Sequence, residues 1–339
     1  MSAAEVVVTG IGMVTPLGAT ARASVEAWRD GRSAARATLP DLAGTSLERA
    51  EAAALPAFDP AERLGGRRML KYMSEAAVLG CVAAHEAMAD ADAARRFRPE
   101  RMGLFAGSGL AAASVKEVLP MVRESIGEDG RFSCRRFGSH GLAATNPLLS
   151  FKILANMPPC IASMIEGVKG PNFIFTPWEG QTAAALCEAW RAVATGEVDC
   201  ALAGAADNAA HPATLVYLKQ AGLLGDDEYP AAGAAYLVFE RAETVEKASP
   251  RSYAHVADME LRPSNGPAHD PLAPRMGRSF AAAPAILLAL ACQVSDVPVV
   301  VCGVDHQEFR VELSAAGHVG SRPRGAHREE PFVESRGIV

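Results

Sequence analysis

A large excess of basic charge, a long hydrophobic run and a cysteine pair at metal or redox spacing are all missing from this chain. Its 339 residues hold 33 Lys and Arg against 39 Asp and Glu, a formal net charge of −6. No basic patch dominates, so nucleic acid is not an expected partner. The opening MSAAEVVVTGIG has no charged stretch leading into an apolar run, and runs such as AAAPAILLALAC are too short to span a bilayer. No leader and no membrane span are expected, and the cytoplasm is the expected compartment. The seven cysteines, at 81, 134, 160, 187, 200, 292 and 302, are odd in number and mostly flanked by apolar residues. Without a CxxC or a Cys/His cluster they read as reduced thiols, mostly buried, with no metal or cofactor implied.

Widely used catalytic motifs are missing too. There is no P-loop, no HExxH and no GxSxG. VVVTGIGMVTPLG offers a strand and a GxG turn, but Thr15 stands where a dinucleotide fingerprint needs its third Gly or Ala. Pro16 then interrupts the helix that such a site requires.

What is present is a soluble, core-forming composition, 49% hydrophobic and 21% charged. Strand-like runs recur at VVVTG (6–10), MGLFAG (102–107), NFIFT (172–176), CALAGA (200–205), AAYLVFE (234–240), PVVVCGV (298–304) and FRVELS (309–314). Ala-rich helical stretches alternate with them. In SEAAVLGCVAAHEAMADA, Ala77, Val78, Cys81, Val82 and Met88 can line one face. A helix is predicted from Glu179 to Thr195, carrying Leu186, Trp190 and Val193 at helical spacing and stopped by Gly196. The alternation predicts a layered α/β fold. Residues 248–277 are rich in Pro and polar residues with little periodicity, and the tail from Ser321 is charged and apolar-poor.

Several segments together resemble the β-ketoacyl-acyl carrier protein synthase family. They are VVVTGIGMVTPLG with VEAWRDGRSA, MGLFAGSGL, NPLLSFKILANMPPCIASMIEGVKGPN, GEVDCALAGAADN and GRSFAAAPAILLALAC. Their order and spacing carry the resemblance, continuous over roughly residues 5–242. It implies a thiolase-like α-β-α-β-α fold with a truncated C-terminal half. The implied division is a ketosynthase-like half at 1–245, a shortened second half at 246–320 and a polar tail at 321–339.

The resemblance also exposes what has been lost. The family places its catalytic Cys nine residues after the Gly of GPN and seventeen before the Gly closing the helix; from Gly170 and Gly196 both counts land on Glu179. A second catalytic His follows a Gly at the start of an Ala-rich helix, where GRSFAAAP puts Arg278. No HGTGT-type loop exists, and there is no room between Pro263 and Gly277 for the segment that carries it. Ala232 replaces the Glu of an EGA motif, and the gating loop has become CGVDHQEF. No catalytic residue of the condensing reaction is therefore expected. Glu179 reads as a first-turn acid stabilised by a helix N-terminus, or alternatively as a reactive carboxylate beside Trp178. His85, His211, His255, His269, His306, His318 and His327 read as packed, loop or tail residues, with His306 the best placed to replace a lost His.

Three functions follow. The first is a non-catalytic chain-length factor that pairs with an active ketosynthase as a heterodimer, serves an acyl carrier protein, and shapes the acyl tunnel. The pathway would be of the type II polyketide, aryl polyene or fatty-acid kind. The second is a stand-alone acyl-thioester hydrolase or decarboxylase using Glu179. The third is a non-catalytic module that binds an acyl chain or carrier protein. The resemblance places Asn172, Phe173, Ile174, Phe175 and Thr176 at a dimer interface. It makes Leu110, Leu148, Leu149, Phe151, Ile153 and Trp178 candidates for lining the tunnel.

Overall fold

The computed structural model describes residues 4–110, 113–248, 252–295, 297 and 299–315. The tail at 321–339, with His327, lies outside the described residues, as does His318 before it. The strands are β1 (Val6–Val14), β2 (Arg36–Thr38), β3 (Glu51–Ala53), β4 (Met102–Ser108), β5 (Asn172–Phe175), β6 (Cys200–Asn208), β7 (Ala232–Arg241), β8 (Ala254–Pro263), β9 (Val300–Cys302) and β10 (Gln307–Ala315). The principal helices are α1 (Ala21–Arg29), α2 (Glu75–Asp90), α3 (Val115–Glu124), α4 (Leu149–Ile153), α5 (Met157–Glu166), α6 (Glu179–Thr195), α7 (Pro212–Gln220) and α8 (Ala283–Ala291). Eight strands form one mixed sheet in the order β5-β4-β6-β7-β1-β8-β10-β9, while β2 and β3 pair separately.

Strand β7 shows how sequence makes the layers. Side chains alternate along a strand, and here both faces are apolar. Ala234, Tyr236 and Val238 join the cluster around α2, whereas Ala235, Leu237 and Phe239 join the cluster around α6 and α8. All six are closed to solvent, at 1% exposure or less. Burial of each large member stabilises the fold by about 1.5–3 kcal/mol. A charge at Leu237 would face the central helices without a partner.

Helices α6 and α8 form the middle layer. They contact β4, β6 and β7 on one side, and β8 and β10 on the other. Helix α8 is buried from Ala283 to Leu290, as an all-round apolar helix must be. Helix α2 is likewise buried almost all round, although Val78 is only half-buried. Its approach to β1 depends on the glycines of VVVTGIG. A Cβ at Gly10 would lie 2.2 Å from the Ala87 carbonyl oxygen, and one at Gly12 would lie 1.9 Å from that of Ala83. These glycines seat a helix rather than a phosphate.

The thiolase-like layering expected from the sequence is therefore present. Among the described residues no principal helix covers the far face of β8, β10 and β9. That face instead carries Arg262, Arg310 and Glu308, with Glu308 paired to both cations at 2.6 Å.

Residues 248–277 correct the expectation of little regular structure, because β8 occupies 254–263. Val256 pairs with Leu313 and Asp258 with Glu312, which leaves Ala257 as an extra residue, a bulge in β8. The bulge breaks the period-two pattern that identifies a strand.

Candidate functional site

Strand β5 leads through Thr176, Pro177 and Trp178 into α6, whose first residue is Glu179. The 17-residue helix ends at Gly196 in the left-handed conformation, as its spacing predicts. Gly196 has φ +79°, a backbone shape that favours glycine. The elbow thus presents a carboxylate at a helix N-terminus, where partial positive charge favours it.

Glu179 is only 1% exposed. Its Oε1 accepts from Arg278 Nη2 at 3.2 Å, and its Oε2 accepts from the Val304 backbone N–H at 3.3 Å. Burial pushes the Glu179 carboxyl up to about 7, against the lowering effects of backbone N–H groups and the Arg278 guanidinium. Glu179 and Arg278, which the sequence resemblance sets at the Cys and His positions, therefore meet as a buried pair.

Arg278 is held from several sides. Its backbone N–H donates to Tyr229 and its carbonyl accepts from Ala231. Nη1 donates to the Leu223 carbonyl at 3.3 Å and lies 3.4 Å from Glu228 Oε2. The guanidinium carbon stands 4.5 Å from the ring centroid of Phe280, a cation–π contact. Phe280 has φ +40°, an uncommon conformation for a residue of its bulk.

Further acids surround the pair, and sequence reading missed them. Burial pushes Asp270 up to about 6, although Leu272 N–H donates to it and Arg278 lies near. Burial also raises Asp207 well above the ordinary range; Ala281 N–H donates to its Oδ2, while Oδ1 has no hydrogen-bond partner among the described residues. Asp305, inside CGVDHQEF, presses close to the elbow: a Cβ at Gly180 would lie 2.5 Å from its Oδ2. The available signal was an acid ending or following an apolar strand, in AGAADN and VVVCGVD. These residues lie far from Glu179 in sequence, so the cluster exists only once α6, the end of β6, the segment leading into α8 and the turn after β9 pack together.

The candidate tunnel residues do not converge on Glu179 as one set. Trp178 stacks on Tyr217 at 6.4 Å and tilts against Phe280 at 6.2 Å, in a cluster with Leu215, Leu218 and Val304. Phe151 instead packs edge-on against Tyr72 at 5.4 Å. Leu149 is buried, Leu110 and Leu148 are half-buried, and Phe151 and Ile153 are exposed. A cleft of about 370 Å³ reaches Arg278 from the side of Arg36, Tyr229 and His269, and Glu179 is not among its lining residues.

The candidate interface residues lie at the rim of the sheet. Among the described residues β5 is its edge strand, paired only with β4, and Phe173 is 49% exposed while stacking on Phe105. The histidines take other places. His85 pairs with Glu166 at 2.9 Å, and His306 is exposed. His211 caps α7, accepting from Ala213 N–H and donating to the Ala113 carbonyl. His255 was expected in a loop but lies on β8, the strand hidden by its bulge. The described cysteines are free. Among the described residues no group of three or more His, Cys, Asp or Glu is placed to hold a metal ion, and no helix is long and apolar enough to cross a membrane.

Comparison with known proteins places this elbow. The family model for the β-ketoacyl synthase N-terminal domain matches residues 3–236. The actinorhodin polyketide β-ketoacyl synthase 1 of Streptomyces coelicolor is 28% identical over 212 residues, covering 61% of this chain and 43% of that protein. The match thus spans less than half of that curated relative. Among solved structures, the ishigamide ketosynthase/chain length factor matches with a TM-score of 0.73 and 17% identity, over 93% of this chain and 100% of that one. A chain from a type II polyketide synthase acyl-carrier protein in complex with its ketosynthase, bound to the hexaketide, matches with a TM-score of 0.71 and 15% identity over the same shares. A β-ketoacyl synthase from Burkholderia phymatum matches with a TM-score of 0.63 and 21% identity, over 79% of this chain and 66% of that one. With a family model matched over more than half its length, the chain belongs to the β-ketoacyl synthase family.

Proposed function

We propose that this chain is a non-condensing, chain-length-factor-like subunit that pairs with an active β-ketoacyl-acyl carrier protein synthase and helps shape its acyl tunnel. The observation that carries the proposal is the Glu179–Arg278 pair, closed to solvent; the sequence resemblance matches the two residues to a nucleophile and a catalytic His. Condensation needs a thiolate that takes an acyl group from a thioester and later releases it. It also needs donors aimed at the charge that develops on decarboxylation. A carboxylate attacks thioesters poorly, and its acyl anhydride is open to hydrolysis. Here its charge is already engaged by Arg278 and the Val304 N–H.

Other observations support the partnership. The solved relatives include a ketosynthase paired with a chain length factor and a ketosynthase in complex with a carrier protein. Edge strand β5 offers unpaired backbone groups flanked by apolar side chains, a surface that calls for a partner. The pathway proposed is of the type II polyketide kind, with aryl polyene and fatty-acid assembly as variants.

The reading as a hydrolase or decarboxylase draws on one observation, a Glu179 carboxyl raised to about 7, in the range of a general base. Against it stands the closure of that carboxyl to solvent. Co-expression with an active type II ketosynthase separates the readings. A stable 1:1 complex whose product length changes with variants of this chain is expected. A chain that stays apart from that ketosynthase and hydrolyses acyl thioesters, with loss of activity in E179Q, overturns the proposal.

A further inference from the structure

Asp270 and Arg278 both line the cleft of about 370 Å³ on the side of Arg36, and both are buried, at 7% and 4% exposure. Each keeps one polar atom, Asp270 Oδ2 and Arg278 Nε, with no hydrogen-bond partner among the described residues. Their other atoms are engaged. Asp270 Oδ1 accepts from the Leu272 N–H at 2.9 Å, while Arg278 Nη1 and Nη2 reach Leu223, Glu228 and Glu179. One acceptor and one donor are left over. A buried polar group without a partner is costly, and native structures rarely leave two side by side.

The walls of this cleft are fastened from several segments. His269 exchanges backbone hydrogen bonds with Cys302 of β9 at 2.7 and 3.0 Å. The β2–β3 hairpin is tied down by Ala34 N–H on the Arg275 carbonyl and by Ala53 N–H on the Pro230 carbonyl. It carries Arg36, whose guanidinium carbon lies 3.9 Å from the ring centroid of Tyr229. The volume is that of a small-molecule site.

The charges decide what fits. Asp227, Glu228 and Asp270 stand against Arg36 and Arg278, and Arg278 is already engaged by Glu179 and Glu228. A carboxylate ligand would meet surplus acid, and an ammonium or amidinium would leave Arg278 Nε unpaired. A neutral group carrying both N–H and C=O satisfies both atoms. Burial pushes the Asp270 carboxyl up to about 6 and the charge of Arg278 works against it, so the two side chains are neighbours. One edge of a ligand can therefore meet both. A trans secondary amide sends its N–H and C=O to opposite sides, whereas a primary amide, urea or ring lactam presents them on one edge.

We propose that this cleft is a binding site for a small neutral molecule with a primary amide, urea or lactam edge, its N–H donating to Asp270 Oδ2 and its C=O accepting from Arg278 Nε. The site stands whether or not the chain pairs with a ketosynthase.

Ligand-observed NMR titration of the purified chain tests it with four probes of one shape: benzamide, benzamidine, benzoate and N-methylbenzamide. At about pH 8 Asp270 is ionised and accepts. Benzamide should bind with a dissociation constant near ~1 mM, ordinary for so small a ligand. Benzoate lacks the N–H, benzamidine lacks the C=O, and N-methylbenzamide lacks the shared edge; each should bind roughly tenfold more weakly. Asp270→Asn keeps Oδ1 for Leu272 but sets a donor against the ligand's donor, and should weaken benzamide about tenfold. Ala268 is exposed at the same cleft, so Ala268→Trp should crowd the mouth and weaken benzamide without disturbing the fold. Unfolding midpoints show that both variants are folded; should Asp270→Asn fail to fold, Ala268→Trp decides.

Benzamidine or benzoate bound as tightly as benzamide would make this a site for charge and overturn the proposal. N-methylbenzamide bound as tightly as benzamide would remove the shared edge and overturn it too. So would benzamide binding that neither variant weakens, or none detectable at about 10 mM.

Discussion

Glu179 Oε1 lies 3.2 Å from Arg278 Nη2, with side-chain exposures of 1% and 5%. The two residues are 99 positions apart in the chain, so the contact joins the β5–α6 elbow to the segment entering α8. Taking both charges out of water is costly, and their attraction offsets that cost only while both are present. Arg278→Ala should therefore destabilise the fold by about 3–5 kcal/mol. The double change E179L/R278M should cost far less than the sum of its parts. Urea unfolding of the two single variants and the double variant checks this; additive losses would show that the pair is not coupled.

Stability should fall as pH rises through neutrality. Burial lifts Glu179 from the ordinary 4.5 to about 7 in the folded chain. Between those values the folded state binds more protons than the unfolded one, so each step up in pH favours unfolding. Asp270, lifted from 3.8 to about 6, acts the same way over a lower window. His85, raised above 6.5 by its hydrogen bond to Glu166, contributes stability that is complete below 6.5 and lost above its folded pKa. Moving from about pH 8 to about pH 6 should raise the thermal midpoint. Glu179→Gln should flatten that profile, and H85N should remove a further part of the slope. An unchanged slope in Glu179→Gln would place the titration elsewhere.

Restoring a thiol should not restore condensation. In E179C the sulfur would sit at a helix N-terminus, which favours thiolate. Arg278, which the sequence resemblance matches to the family's second His, would still stand beside it, and no HGTGT-type loop is present in the sequence. Purified E179C incubated with malonyl-carrier protein should release no carbon dioxide above background, and measured turnover would contradict this.

The elbow was legible because its parts are local. A β-branched and aromatic strand, a short turn, an N-terminal acid and a closing glycine fall within Asn172 to Gly196, and each obeys a short-range rule. Leu186 and Val193 lie in the core as their spacing predicts. The site around the elbow was not legible, because Asp207, Asp270 and Asp305 reach it from three distant segments. Strand β8 was hidden for another reason: Ala257 inserts a residue into its alternation. The glycines of VVVTGIG were visible, but their use depends on where α2 packs.

That packing is itself testable. Gly12→Ala would set a Cβ 1.9 Å from the Ala83 carbonyl oxygen and 2.7 Å from the Ala87 nitrogen. Both are backbone atoms of α2, so no side chain can swing aside to relieve the clash. Gly12→Ala should cost more than about 3 kcal/mol, the upper range for overpacking a core. Gly66→Ala, where nothing lies within 4 Å of the added Cβ, should cost far less. Equal unfolding midpoints for the two variants would contradict the close approach of β1 and α2.

Leu149 and Phe151 separate core packing from a role at the partner. Leu149 is 5% exposed, whereas Phe151 is 38% exposed and rests on Tyr72. Truncating a buried leucine removes contacts on all sides and leaves a cavity, so Leu149→Ala should cost about 2–4 kcal/mol in the isolated chain. Phe151→Ala removes a ring that water already reaches on one side, and it should cost less than about 1.5 kcal/mol there. In complex with an active ketosynthase the order should reverse in its effect on product. If Phe151 lines the end of a tunnel crossing the interface, its loss opens volume and lets longer acyl chains form. Leu149→Ala should leave chain length unchanged in whatever complex survives. Product profiling of both complexes, beside unfolding of both isolated chains, separates the two roles; unchanged chain length in Phe151→Ala would remove this residue from the tunnel.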